Sequence, residues 1–288
     1  MVDKKMTFEE IKNAKDEFLK CYDILEDYQK YEKLGGSWED LMNIGEEYES
    51  KIISEEYFNI IQKYLHIVMQ FDRVHSCRYR LKKTDSLLKK IVVKTVEKGV
   101  LINKDNYLTK ITDLLGIRIL YIFKEDCYFV HNQIMGAFES QLAENPCIKL
   151  RSGDDEESYS QIKRQGANVE ENNMYRSVHY TLYSNKENVS EAKIEIQTRT
   201  IFEEGWSEIN HKLVYKNVAD KYEVLKNASD VLSGLVGNCD KIGTMMKDMY
   251  DEYINKEDAT PKATTKEDAE KIRAKSVSEV FSIFLNSN

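Results

Sequence analysis

The chain has 288 residues, 41% hydrophobic and 32% charged, with a formal net charge of −8. That balance describes a globular protein of one large domain or two small ones; it excludes a chain disordered throughout and argues against a general nucleic-acid coat. No apolar run reaches membrane-spanning length, the start MVDKKMTFEEIK lacks the apolar core of a secretory signal, and five scattered cysteines without a Cys-x-x-Cys read as reduced thiols, so a cytoplasmic protein with no membrane segment, zinc site or disulfide framework is expected.

Charge is unevenly spread. Residues 1–60 hold 16 acids against 8 Lys/Arg, whereas residues 73–98 hold 9 Lys/Arg against 2 acids. Helical periodicity predicts amphipathic helices over 7–33 and 54–72, the first closed by Leu34-Gly35-Gly36-Ser37. The second half of the basic segment 78–98 predicts a helix with Leu87, Leu88, Ile91 and Val92 on one side. LLGIRILYIF (114–123) predicts a buried strand and 127–142 a helix. Residues 151–174 are polar and acid-rich and predict a loop. Strands follow over 177–184 and 192–199, joined by a polar turn, then helices over 201–216 and 221–254. KEDATPKATTK (256–266) has linker composition, and a short helix near 266–285 closes the chain. The expected organisation is a helical segment over 1–59, a mixed α/β (α+β) domain over 60–216, and a helical extension over 217–288.

Four groups of residues carry chemistry. Arg80, Lys82, Ser86 and Lys90 form R-x-K-x-x-x-S-x-x-x-K. The four-residue spacing from 82 on predicts Lys82, Ser86 and Lys90 on one helix face, a grip for polyphosphate without a Walker-type glycine loop. On charge alone, a solvated helix face is the simpler explanation of the segment. Asp113 stands at the entrance of the buried strand and Arg118 lies inside it. A buried arginine is costly unless paired, so Arg118 is expected to face a cleft or form a buried salt bridge. Ser177 and His179 share a strand face and Tyr175 just precedes it; a tyrosine there could stack on a nucleobase, while His179 by itself reads as a hydrogen-bonded core histidine.

The strand A192-K-I-E-I-Q-T-R199 alternates. Lys193, Glu195, Gln197 and Arg199 fall on one face; Ala192, Ile194, Ile196 and Thr198 fall on the other. A surface strand and an active-site floor both fit that pattern. Glu195 and Asp113 could together hold Mg²⁺, and a carboxylate there could take a hydroxyl proton. In the next helix Glu208-x-x-His211 resembles half of a di-iron pair, but no second such pair occurs, so metal ligation there is a minor reading.

Taken together, the ordered pieces R80-x-K82-x-x-x-S86-x-x-x-K90, D113-L-L-G-I-R118, Y175-R-S-V-H179, E195-I-Q-T-R-T200 and H211-K-L-V-Y-K216 resemble the synthetase domain of the RelA/SpoT family of alarmone synthetases, over about residues 60–216. The resemblance implies a mixed sheet of the polymerase-β-like nucleotidyltransferase type. It implies Mg²⁺-dependent transfer of pyrophosphate from ATP to the 3′-hydroxyl of GTP or GDP, with AMP released. By match, Arg80 and Arg118 would sandwich the adenine, and Lys82, Ser86 and Lys90 would hold the ATP phosphates. Asp113 and Glu195 would bind Mg²⁺, with Glu195 also the base. Tyr175 would stack on the acceptor guanine, with His179, Gln197 and Arg199 nearby.

Two departures fall on the acceptor side. Met174 stands where the family usually has glycine before the tyrosine, and R151-S-G-D-D-E-E157 replaces a basic stretch ending in Pro-Lys. Two alternatives follow: a relative that pyrophosphorylates the 3′ end of tRNA, and a nucleotide-sensing module without catalysis. The acidic N-terminal segment argues against the first, and retention of both carboxylates against the second. No His-Asp dipeptide occurs, so the hydrolase domain of longer relatives is not expected, and the flanking helices are a candidate homo-oligomer interface, as in other family synthetases.

Overall fold

A computed structural model describes residues 6–151, 159–171, 176–185, 191–213 and 223–259. Five helices come first: α1 (Phe8–Asn13), α2 (Lys15–Cys21), α3 (Leu25–Lys33), α4 (Trp38–Ile53) and α5 (Glu56–Val68). The single helix expected over 7–33 is thus three pieces. It breaks at Ala14, whose φ of −140° is not helical, and at Asp23, whose φ of 51° is left-handed. Helix α4 was not among the predicted elements, although Ser37 caps it by accepting a hydrogen bond from the Asp40 N–H at 3.0 Å.

Then follow β1 (Ser76–Leu81), α6 (Thr84–Lys98), α7 (Tyr107–Lys110), β2 (Leu115–Tyr121) and α8 (Asp126–Phe138), with a 3₁₀ turn over Glu139–Gln141. The remaining elements are β3 (Cys147–Leu150), α9 (Ser160–Arg164), β4 (Asn168–Glu171), β5 (Ser177–Tyr183), β6 (Lys193–Thr200), α10 (Ile201–Leu213) and α11 (Glu223–Ala259). The expected loop over 151–174 therefore contains α9 and β4. The acidic residues 153–157, the turn over 186–190 and the expected helix near 266–285 lie outside the described residues. The expected linker near 256–266 begins inside α11.

The six strands among the described residues form one mixed sheet in the order β1-β2-β6-β5-β3-β4. The β2–β6 and β3–β4 pairs are parallel and the others antiparallel. Strand alternation sorts the sheet into two faces. Ile117, Ile119, Val178, Tyr180, Ile194 and Ile196 lie on the apolar face, each almost fully buried. They join one core with Tyr48 and Ile61 of α4 and α5 and with Leu87, Leu88 and Ile91 of α6. Each such aliphatic side chain contributes about 1.5–3 kcal/mol by leaving water. The helices before residue 60 therefore share a core with the sheet.

The chain divides into two compact units, Met1–Lys241 and Ile242–Asn288. The first holds the sheet and the helices through the middle of α11; the described part of the second is the end of α11. No helix among the described residues is long and apolar enough to cross a membrane.

Candidate active site

The second face of the sheet is polar, and the strand register assembles it. Arg80 of β1 pairs with Gly116 of β2, which pairs with Glu195 of β6, which pairs with Thr181 of β5. The next row is Arg78, Arg118, Gln197 and His179, followed by Cys147 of β3. Gly116 is glycine for a reason of space: a methyl group there would lie 3.2 Å from Cγ of Arg80. Its absence lets the Arg80 side chain lie over the strand. Arg78, Arg80, Arg118, Glu195, Gln197 and Glu208 line a cleft on this face. The strand 193–199 is the floor of that cleft rather than an ordinary surface strand.

At one end of the floor, cations gather on a single carboxylate. Lys82 Nζ lies 2.7 Å, Lys90 Nζ 2.9 Å and Arg80 Nη2 3.9 Å from Asp113 Oδ2. The other oxygen, Oδ1, is buried and has no hydrogen-bond partner among the described residues. Burial opposes the charge on Asp113, but Lys82 and Lys90 outweigh it and hold the carboxyl well below the usual range. Burial likewise lowers Lys82; Asp113 pulls it back, while Lys90 and Arg80 push it further down. The directions agree physically, because three cations share one anion.

Lys82 and Lys90 meet by a different route from the expected helix face. Helix α6 begins at Thr84, so Lys82 precedes it. The Lys82 N–H donates to the Leu114 carbonyl at 2.9 Å, which extends the β1–β2 pairing by one residue. The Tyr48 hydroxyl donates to the Lys82 carbonyl at 2.7 Å and ties this corner to α4. Ser86 stands in the first turn of α6, where its hydroxyl bonds Asp85 Oδ1 at 3.1 Å.

Along the floor runs a hydrogen-bonded row. His179 Nε2 lies 2.6 Å from Ser177 Oγ, and its Nδ1 lies 3.3 Å from Glu195 Oε1. The Gln197 amide donates to Glu195 Oε2 at 2.7 Å, and Arg199 Nη2 donates to Gln197 Oε1 at 2.7 Å. Burial and, more weakly, Asp113 work against charge on Glu195; the His179 and Gln197 contacts outweigh them and lower its pKa. Glu195 is therefore ionised at neutral pH, and His179 is both a buried histidine and a partner of the floor.

At the far end, Arg118 Nη1 reaches both oxygens of Glu204 (2.9 and 3.1 Å) and Glu208 Oε1 (3.1 Å). Arg118 is thus salt-bridged and also lines the cleft. Arg199 and Arg78 lie 3.7 Å from the same Glu204 carboxylate. Arg78 and Glu204 were not among the expected site residues. Arg78, Arg80 and Lys82 recur every second residue, which is the strand signal that could have found Arg78.

Of the expected site residues, Arg80, Lys82, Lys90, Asp113, Arg118, His179, Glu195, Gln197 and Arg199 come together on this face or at its rim. Tyr175 and Met174 lie outside the described residues. Glu208 pairs with Arg118, and no group of three or more His, Cys, Asp or Glu side chains gathers as a metal centre among the described residues.

A mixed sheet with helices around it and one face bearing clustered cations, ionised carboxylates and an open cleft defines a protein built to handle a phosphorylated ligand. Residues 79–220 match the family model described as the region found in RelA/SpoT proteins, so this part of the chain is a RelA/SpoT-type region. GTP pyrophosphokinase YwaC of Bacillus subtilis (strain 168) is 24% identical over 189 residues, which cover 62% of this chain and 80% of that protein. The crystal structure of small alarmone synthetase 1 from Bacillus subtilis shares the fold, with a TM-score of 0.52 at 19% identity over 72% of this chain and 98% of that one.

Proposed function

We propose that the chain transfers pyrophosphate from ATP to the 3′-hydroxyl of GTP or GDP and releases AMP. One observation carries the reading: Lys82, Lys90 and Arg80 converge on Asp113 beside the ionised Glu195, at one end of a cleft whose other side is lined by Arg78 and Arg118. The match of residues 79–220 to the RelA/SpoT region and the name of the YwaC relative support it.

The reaction asks little covalent work of a protein. The acceptor oxygen attacks the β-phosphorus, the bond from that phosphorus to the α–β bridging oxygen breaks, and AMP leaves with the bridging oxygen. The hydroxyl proton goes to a base. Catalysis is then alignment plus charge neutralisation. Lys82, Lys90 and Ser86 hold the donor phosphates in this reading, and Arg80 and Arg118 flank the adenine. Glu195 takes the proton, held in place by His179 and Gln197. Tyr175, His179, Gln197 and Arg199 form the acceptor side.

The residues fit Mg²⁺. Asp113 offers a buried carboxylate oxygen with no hydrogen-bond partner among the described residues, and Glu195 is near enough for Asp113 to disfavour its charge. Magnesium characteristically takes one or two carboxylates and completes its shell with phosphate oxygens and water. When bound, it would neutralise charge on the β- and γ-phosphates.

The test is turnover of ATP labelled on the γ-phosphate, with Mg²⁺ and with GTP, GDP, ATP or bulk tRNA as acceptor. Label on a guanine nucleotide with equal AMP is expected. Label on tRNA alone would reassign the acceptor, and no transfer from folded protein would refute the reaction.

A further inference from the structure

The excursion between β3 and β5 is bounded by two arginines, and the helices after the sheet grip both. Arg151 Nη2 lies 3.1 Å from Asp230 Oδ1 of α11, and its guanidinium sits 5.5 Å over the Trp206 ring of α10. Arg176 Nη1 lies 2.5 Å from Glu203 Oε1 of α10, and its backbone N–H donates to Glu203 Oε2 at 3.4 Å. From the other side α11 comes so close that a methyl group at Gly237 would lie 3.2 Å from Arg176 Nη2. A glycine inside a helix costs about 1 kcal/mol relative to alanine. Close approach to the guanidinium explains it here, whereas Gly234, one turn earlier, has open space around it.

Arg176 directly precedes Ser177, whose hydroxyl holds His179, which in turn contacts Glu195. We propose that α11 positions the acceptor side of the site through Gly237 and Arg176, making these two positioning residues for the guanine nucleotide. The inference rests on the acceptor reading above. An arginine set between a buried carboxylate and a helix has little freedom. Displacing its guanidinium shifts the start of β5 and with it Ser177 and His179. Asp113, Lys82 and Lys90 belong to the β1–β2 side, separated from β5 by β6, and stay in place. The donor and acceptor halves should therefore respond differently.

The experiment is equilibrium dialysis of GDP and of a non-hydrolysable ATP analogue against the full chain, as wild type, Gly237→Leu and Gly237→Ala, with Gly234→Ala as the control. Melting temperatures check the fold. For Gly237→Leu, the GDP Kd is expected to rise on the order of ten-fold while the ATP-analogue Kd stays within about two-fold, because a small misplacement acts locally. Gly237→Ala should move in the same direction by less, and it remains informative if the leucine variant does not fold. An unchanged GDP Kd in Gly237→Leu, or in Gly237→Ala where the leucine variant does not fold, would overturn the positioning role, as would equal weakening of both ligands. A wild-type chain that binds the ATP analogue but no GDP would overturn the acceptor reading, and the inference with it.

Discussion

Lys82 Nζ sits 2.7 Å from Asp113 Oδ2 while Oδ1 of the same carboxylate is buried without a hydrogen-bond partner among the described residues. One oxygen carries the lysines, and the other has no hydrogen-bond partner among the described residues. A buried carboxylate is rarely left half-used unless something else uses it. Asp113 also stores the lysines: without it, two ammonium groups would face each other across a partly buried corner. A polyphosphate can take over those lysines, which leaves Asp113 free for a cation.

Asp113→Asn keeps the shape and removes the charge. Turnover is expected to fall by about 100-fold or more, the cost of removing one preorganised electrostatic contact. ATP binding in EDTA should be retained or tightened, because Lys82 and Lys90 lose their competing anion. Turnover assays and metal-free ATP titration check both halves. Metal-free affinity falling in proportion to turnover would show that the lysines are not the phosphate grip.

Glu195→Gln tests the base. The amide can still accept from Gln197, so the fold should survive with a melting temperature close to wild type. Loss of a positioned base costs roughly 10²–10⁴ in rate. ATP-analogue affinity should change little. Near-normal turnover in this variant would remove Glu195 from the mechanism.

The floor strand was legible because a half-buried strand writes its two faces in period two, and 193–199 does so with only Thr198 polar on the apolar side. Strand β1 and the residue that follows it have the same period in Arg78, Arg80 and Lys82. Its charge masks the strand, and pairing with β2, a tertiary effect, decides its conformation. Strands β3 and β4 have four residues each, too few for a period to declare itself. No glycine or proline marks the break at Asp23. Glu204 was visible as a helical carboxylate, but its partner Arg118 depends on how α10 lies over β2, which spacing within one helix does not encode.

Arg118 should matter for stability as well as for nucleotide binding. It binds both oxygens of Glu204, whose side chain is only 6% exposed. Arg118→Ala leaves that carboxylate with two arginines at 3.7 Å and is expected to destabilise by about 2–3 kcal/mol. Adding Glu204→Gln should recover at least half of the loss, because the buried charge goes with it. Urea unfolding of the four proteins in the cycle measures this coupling. Strict additivity would mean that the pair does not act as a unit.

Asp240 of α11 gives the clearest pH dependence. Its Oδ2 accepts from the Thr200 hydroxyl at 3.0 Å, and Oδ1 is buried without a hydrogen-bond partner among the described residues. Burial raises its pKa from 3.8 to about 7, with Glu203 adding to the rise and Thr200, Lys124 and Arg176 opposing it. The folded chain thus keeps a proton that the unfolded chain releases near pH 4. Stability from this group is fully present below that value and is lost as pH rises through about 7. Asp240→Asn keeps an acceptor for Thr200 and never ionises. Relative to wild type it should gain roughly 2 kcal/mol between pH 5 and pH 8, with almost all of the gain complete by pH 8. Chemical denaturation at a series of pH values measures the difference. A constant offset between the two proteins across that range would mean that Asp240 is already charged in the folded state at pH 5.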